Sequence, residues 1–381
     1  MKATSIFRIR SLILAAALGV SIGFTSLAFA QQSISSAVIV NPDGKVTYLD
    51  RLGAGSTGVS GINDSGQVVG YSDTASGATH AFITGPNGVG ITDLGTLGGN
   101  FSSAYGINDS GQVVGESTNA DFVTHGFITG PNGVGMTDLG TWGGTSSRAF
   151  GINDAGQVVG SSLIARGFYH AFITGPDGVG MTDLGTLGND SEAFDINDAG
   201  QVAGYNWFGD SSRHAFITGP DGVGMTDLGT LGGDYSIPRA INDAGRVAGF
   251  STTADGFDHA FITGPNGVGM ADLGTLGGGD SWAEGINDSG QVVGWSDITG
   301  VDRHAFITGP DGVGMTDLNS YADLPDGVIL TEAVGINNLG QVIAVAVIPE
   351  PATYALMLAG LGLVGFMARR KKPTGNSVTR G

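Results

Sequence analysis

The sequence predicts an all-β fold: a seven-bladed β-propeller of four-stranded blades, with an N-terminal signal helix and a C-terminal transmembrane helix outside it. Three observations carry this expectation. A unit of about 45 residues recurs seven times between residues 37 and 347. Each unit holds two turn signatures flanked by short apolar runs, which makes four strands per unit. No stretch of that region shows the 3.6-residue periodicity of an amphipathic helix. Four strands in about 45 residues is the arithmetic of a propeller blade.

The chain of 381 residues opens with Lys2, Arg8 and Arg10, an apolar run from Leu12 to Leu27, and Ala28-Phe29-Ala30 before Gln31. This is the basic, apolar and small-residue order of a secretory signal peptide, so residues 1–30 are read as removed by signal peptidase between Ala30 and Gln31. The competing reading is an uncleaved anchor, which has no use for small residues at Ala28 and Ala30. There is no cysteine, which removes disulfides, thiol catalysis and thiolate metal sites together.

Residues 31–347 are the repeat domain. "GINDSGQVVG" begins at Gly61 and again at Gly106, and its variants place Ile152, Ile196, Ile241, Ile286 and Ile336 where Ile62 stands. Successive spacings are 45, 45, 44, 45, 45 and 50 residues. Between these lies a second sentence, "HAFITGPDGVGMTDLGTLG" at His170, with near copies at His80, His125, His214, His259 and His304. These six are all the histidines of the chain. A seventh, degraded copy starts at Ala37 with "AVIVNPDGKVTYLD". Pro-Asx-Gly and Asn-Asp-Ser-Gly are turns with a mechanism: proline presets φ, and glycine accepts positive φ. The apolar runs do not alternate cleanly, as befits strands covered on both faces by stacked blades. A β-solenoid is the main competitor, but its coils are usually shorter and need caps.

The offset of the copies predicts how the ring closes. With blade boundaries in the "GTLGG" stretches, residues 37–50 and 333–347 each supply half of one blade, and no sheet edge is left free. A boundary in the segments before each histidine would instead give seven complete blades and no clasp.

Residues 348–373 form a second address. Pro349-Glu350-Pro351 precedes seventeen uncharged residues, "ATYALMLAGLGLVGFMA", and then Arg369, Arg370, Lys371 and Lys372. That length is at the low edge of a membrane span, and the basic cluster would stay in the cytoplasm. The region resembles the PEP-CTERM sorting signal, with its three features in the right order; an ordinary C-terminal anchor would need no Pro-Glu-Pro. The resemblance implies a Gram-negative host, often one making exopolysaccharide, and processing near the motif by an exosortase. Localisation is then export, transient inner-membrane anchoring, and finally the cell surface or the medium. The tail 374–381 runs on past Lys372, further than such signals usually do.

The repeat itself, "HAFITG…MTDLGTLGG…INDSGQVVG", resembles the HAF repeat of bacterial extracellular proteins. Departures are Gly126 for alanine, Asn189 in "GTLGN", Asp195 before Ile196, and Arg246 for glutamine. The resemblance implies an extracellular place and brings no activity or ligand with it.

Charge excludes one class of partner. Between residues 31 and 348 there are eight basic and 34 acidic residues, a net charge of about −26. Such a surface repels phosphate backbones, so no nucleic-acid partner is expected. The six histidines are expected to be structural, each hydrogen-bonding a neighbouring turn such as the Asp of "TDLG", since a catalytic site is normally written once. No Gly-x-Ser-x-Gly nucleophile elbow is present. No cofactor is expected. Calcium is the one alternative, and "INDSG" lacks the spaced oxygens of a loop site. Specificity should lie where the repeats differ. Aromatic residues gather in the segments before each histidine, and the candidate ligand contacts are Tyr205, Trp207, Phe208, Trp282 and Trp295, since exposed aromatics stack on sugars and anchor interfaces. The expected function is a non-enzymatic surface or matrix protein that binds exopolysaccharide or another surface protein. The alternative is a secreted hydrolase or lyase acting on polysaccharide. The two differ by a single cluster of non-repeated acids, bases and donors at the ring centre, and the sequence displays none.

Overall fold

The computed structural model describes residues 34–209, 212–300 and 302–348. The signal-cleavage residues Ala28, Ala30 and Gln31 lie outside them. So do the sorting residues Pro349, Glu350, Pro351, Arg369, Arg370, Lys371 and Lys372, and the expected membrane helix. Among the described residues no helix is long and apolar enough to cross a membrane.

Residues 35–347 form one compact all-β unit. In the first complete repeat the strands Thr57–Ile62, Val68–Asp73, Thr79–Ile83 and Thr92–Asp93 pair antiparallel in chain order. The same order recurs through the repeat that ends with strand Met315–Asp317. The ends of the domain share one further sheet, ordered Val46–Tyr48, Ile34–Val40, Val342–Ile348, Ile329–Ile336. That is the clasp expected from the copy offset, with the breaks between sheets in the "GTLGG" stretches. The boundary before each histidine does not occur.

The Pro-Asx-Gly turns of the six histidine repeats are single 3-10 turns in which both Asx and Gly take positive φ, as at Asn87 (54°) and Gly88 (73°). Asn and Asp tolerate that region better than other side chains, which explains why they interchange here. Between sheets the packing is close. Phe82, Phe127, Phe172, Phe216, Phe261 and Phe306 are fully buried, each against small and β-branched residues of the preceding repeat. A Cβ on Gly151 would lie 2.8 Å from the Cα of Asp195 in the next repeat, so a glycine there lets two inner strands approach.

The inner strands meet at the Asn-Asp turns. Each turn asparagine is buried and donates from its amide to the backbone oxygen of its counterpart in the next repeat, from Asn63 to Asn108 and on to Asn287 and Asn337. Asn337 donates in turn to Asn63, 274 positions earlier in the chain. A second circle runs beside it. The backbone N–H after each asparagine donates to the side-chain oxygen of the equivalent Asp in the next repeat, that of Asp288 to Asn338 Oδ1, and that of Asn338 back to Asp64.

Candidate functional site

Every inner strand carries the same irregularity. Its register with the second strand skips one residue, two positions before the repeat isoleucine. A bulge leaves that residue unpaired and re-aims its side chain. The skipped residues are Ser60, Tyr105, Phe150, Phe194, Arg239, Glu284 and Val334, and together they line one mouth of the central channel, a cavity of about 310 Å³. Seven equivalent strands therefore present side chains of different chemistry to one place. The positions two further back vary as well: Gly58, Ser103, Arg148, Glu192, Ile237, Trp282 and Glu332.

The mouth is aromatic and ionic at once. Tyr105, Phe150 and Phe194 follow each other around the rim at centroid distances of 5.4 Å, and Tyr205 stacks on Phe194 at 5.7 Å. Across from them Trp282 lies parallel to Phe250 at 3.9 Å and leans on Trp295 at 5.1 Å. The Arg239 guanidinium bridges the two groups, within 6 Å of the rings of Phe194, Phe250 and Trp282. Its Nε is 3.3 Å from a Glu284 carboxylate oxygen. Burial pushes the Glu284 carboxyl up to about 7, against the pull of Arg239, and Glu332 adds like-charge repulsion. Arg303 pairs with Glu332 at 3.0 Å and lies over Trp295. On the other side Glu116 accepts from Tyr105 Oη at 2.6 Å and from Arg148 Nε at 2.9 Å.

Asp195 stands in the channel wall where most other repeats have glycine. Its carboxylate accepts the backbone N–H groups of Ile196 and Ile241, and burial pushes it up to about 6 against those two bonds. The opposite end of the channel is lined by the Asp64, Asp109, Asp154, Asp198, Asp243 and Asp288 turns around a cavity of about 200 Å³. Among the described residues no three acidic or histidine side chains converge in a way that would hold a metal ion.

The histidines have another task. In all six copies His Nδ1 meets the Asp of the outer strand thirteen residues on, at 2.7–2.9 Å. In the first five that Asp also accepts a backbone N–H from the following glycine, and in the sixth from Asn319. Each histidine pins an outer strand to its neighbour.

Of the expected ligand contacts, Tyr205, Trp282 and Trp295 join the aromatic groups of the mouth. Trp207 is 39% exposed and shares the Arg213 guanidinium with Tyr205. Phe208 packs edge-on against His214 instead. Sequence reasoning missed Tyr105, Glu116, Arg148, Arg239 and Glu284, and with them the non-repeated charged cluster at the ring centre that the sequence had not displayed. The signal was there: the position two before the repeat isoleucine reads Ser, Tyr, Phe, Phe, Arg, Glu, Val.

The chain matches the PEP-CTERM protein-sorting motif over residues 347–371. No curated protein matches it in sequence. Among solved structures it is similar to an oligogalacturonate lyase in complex with manganese, at 10% identity and a TM-score of 0.52, covering 84% of this chain and 98% of that one. It is similar to a TolB from Agrobacterium tumefaciens at 12% identity and a TM-score of 0.50, covering 84% and 99%. The β-propeller domain of the Trilobed protease from Pyrococcus furiosus has 13% identity and a TM-score of 0.49, over 73% of this chain and 87% of that one. At such identities likeness bears on fold alone, and the propeller-like fold is seen in the chain's own four-stranded repeats and in the closure of the last on the first.

Proposed function

We propose that the chain is an exported surface or matrix protein, a closed seven-bladed propeller of HAF-type repeats that binds polysaccharide without cleaving it. The observation that carries the reading is the variable bulge position. Among the places where the repeats differ, this one faces a single cavity, and what they place there is aromatic rings beside paired arginines and carboxylates. Rings stack on the apolar faces of sugars, and fixed ion pairs offer donors and acceptors to neighbouring hydroxyls. The PEP-CTERM motif supports export, transient membrane anchoring and release by an exosortase. Another surface protein is the competing ligand class, and it would leave a glycan array blank. The test is such an array probed with the mature protein from its host and with Trp282→Ala. Binding that the substitution abolishes without changing the melting temperature supports the reading. A blank array sinks it.

A second reading, a hydrolase or lyase, is supported by the non-repeated charged cluster at the ring centre, and within it by Glu284. Burial pushes the Glu284 carboxyl up to about 7 against the pull of Arg239, in the range that suits a general acid. Incubation with host exopolysaccharide would then release new reducing ends or unsaturated products, and Glu284→Gln would stop it. An inert wild type leaves binding alone.

A further inference from the structure

Beside the mouth lies a second cleft of about 330 Å³, lined by Arg213, Tyr235, Ile237, Phe250 and Trp282. It spans three consecutive repeats. Ile237 and Phe250 are buried and form its floor, while Tyr235 and Trp282 remain partly open. Its volume is at the small end for ligand pockets, ~300–1,000 Å³, which suits one sugar ring. Tyr235 is held in place by its hydroxyl, which donates to the Asp258 carboxylate at 2.6 Å.

Arg213 differs from the other arginines of this face. Arg148, Arg239 and Arg303 each have a carboxylate oxygen within 3.3 Å. Among the described residues none pairs with Arg213. Its guanidinium lies over the rings of Tyr205 and Trp207, at 5.7 and 5.6 Å, and the side chain is exposed. Stacking fixes the plane of the group and leaves its hydrogen-bonding edge unused. That edge matches a carboxylate, which a guanidinium grips with two parallel bonds. Glu192, on which Arg213 acts electrostatically, is pushed upward by burial and so holds its own proton longer.

We propose that this cleft is a subsite for an acidic sugar, a hexuronate whose ring rests on Tyr235 and Trp282 and whose carboxylate pairs with Arg213. The proposal rests on the polysaccharide reading above and specifies it. The general acidity of the domain does not forbid it, because at physiological ionic strength charges more than ~8 Å away are largely screened. A sulfated sugar would offer anionic oxygens too, but three around one centre rather than two in a plane.

The experiment is calorimetric titration of the mature protein with three oligosaccharides: one containing glucuronate, its carboxyl-reduced neutral counterpart, and a sulfated neutral one. The glucuronate form is expected to bind at least ~10-fold tighter than either other, the scale of one charged, two-bond contact. Arg213→Gln should remove that preference and leave the weak binding of the reduced form. Arg213→Lys should restore only part of it. Melting curves of both variants check that the fold is kept. Equal binding of the acidic and reduced forms overturns the acidic subsite and leaves the polysaccharide reading standing. Tighter binding of the sulfated form overturns the carboxylate. No binding of any of them overturns both.

Discussion

Among the described residues Phe122 is the one aromatic with positive φ, at 59°, and it is 70% exposed. The corresponding turns place Gly77, Gly167 and Gly256 there, with φ of 84° to 86°. A bulky side chain in the left-handed region costs ~1–2 kcal/mol. Phe122→Gly should therefore stabilise the fold by up to about 1 kcal/mol after the added flexibility of the unfolded chain is counted; a loss of stability in urea melts would show that the ring is packed. Asp195 gives a second test. Its folded carboxyl titrates near 6 against an ordinary 3.8. The stability of the protonated form is present below about 4 and is lost as pH rises through about 6. Asp195→Gly should flatten that decline, so its stability relative to the parent rises between pH 4 and pH 7. A difference independent of pH would show that the carboxylate is solvated from the channel. Neither residue's role was legible beforehand. Asp195 could be seen as a departure from the repeat, but that it lines the channel depends on a bulge one residue away, and bulges leave no mark in apolar patterning.

The elements were largely legible, because turn chemistry and strand patterning act locally and repeat seven times. The turn signatures located the hairpins, and the position of the first and last copies located the shared sheet. The inner-strand bulge was not legible, since it is a property of pairing between strands. The shared sheet makes a strong demand on its C-terminal half. Strand Val342–Ile348 lies between Ile34–Val40 and Ile329–Ile336. Deleting residues 333–347 strips the inner part of that sheet and bares two neighbouring faces, so cooperative melting should be lost. A truncated protein that melts like its parent would show that the sheet is dispensable. A milder probe is Asn337→Ala. Asn337 is buried, donates to Asn63 and to Gln341, and accepts from Gln341. Its loss leaves buried groups unpaired and should cost ~1–3 kcal/mol. No change in the urea midpoint would mean that water replaces it.

At the scale of the whole chain the prediction concerns its ends. With the PEP-CTERM motif at residues 347–371, we expect surface material from the host to yield no peptide from Leu356 to Lys372 in mass spectrometry. Glu350→Ala should leave the uncut form in the inner membrane. Recovery of an intact C-terminus from wild-type surface material would refute processing and leave only a tail anchor. The C-terminal address was readable because it is written in one continuous stretch. The channel mouth was not, because its residues come from seven places and meet only when the strands converge.

The circle of asparagine amides has a consequence for inheritance. Tandem copies this alike invite unequal exchange, which adds or removes whole units. In an open stack such a change would lengthen or shorten the molecule and harm nothing. Here each amide gives to the next and the last gives to the first, 274 positions back. A chain one unit short must draw a tighter circle or leave its final amide unmet. The closing bond thus keeps count, and every bulge side chain holds its place around the mouth only while the number stands.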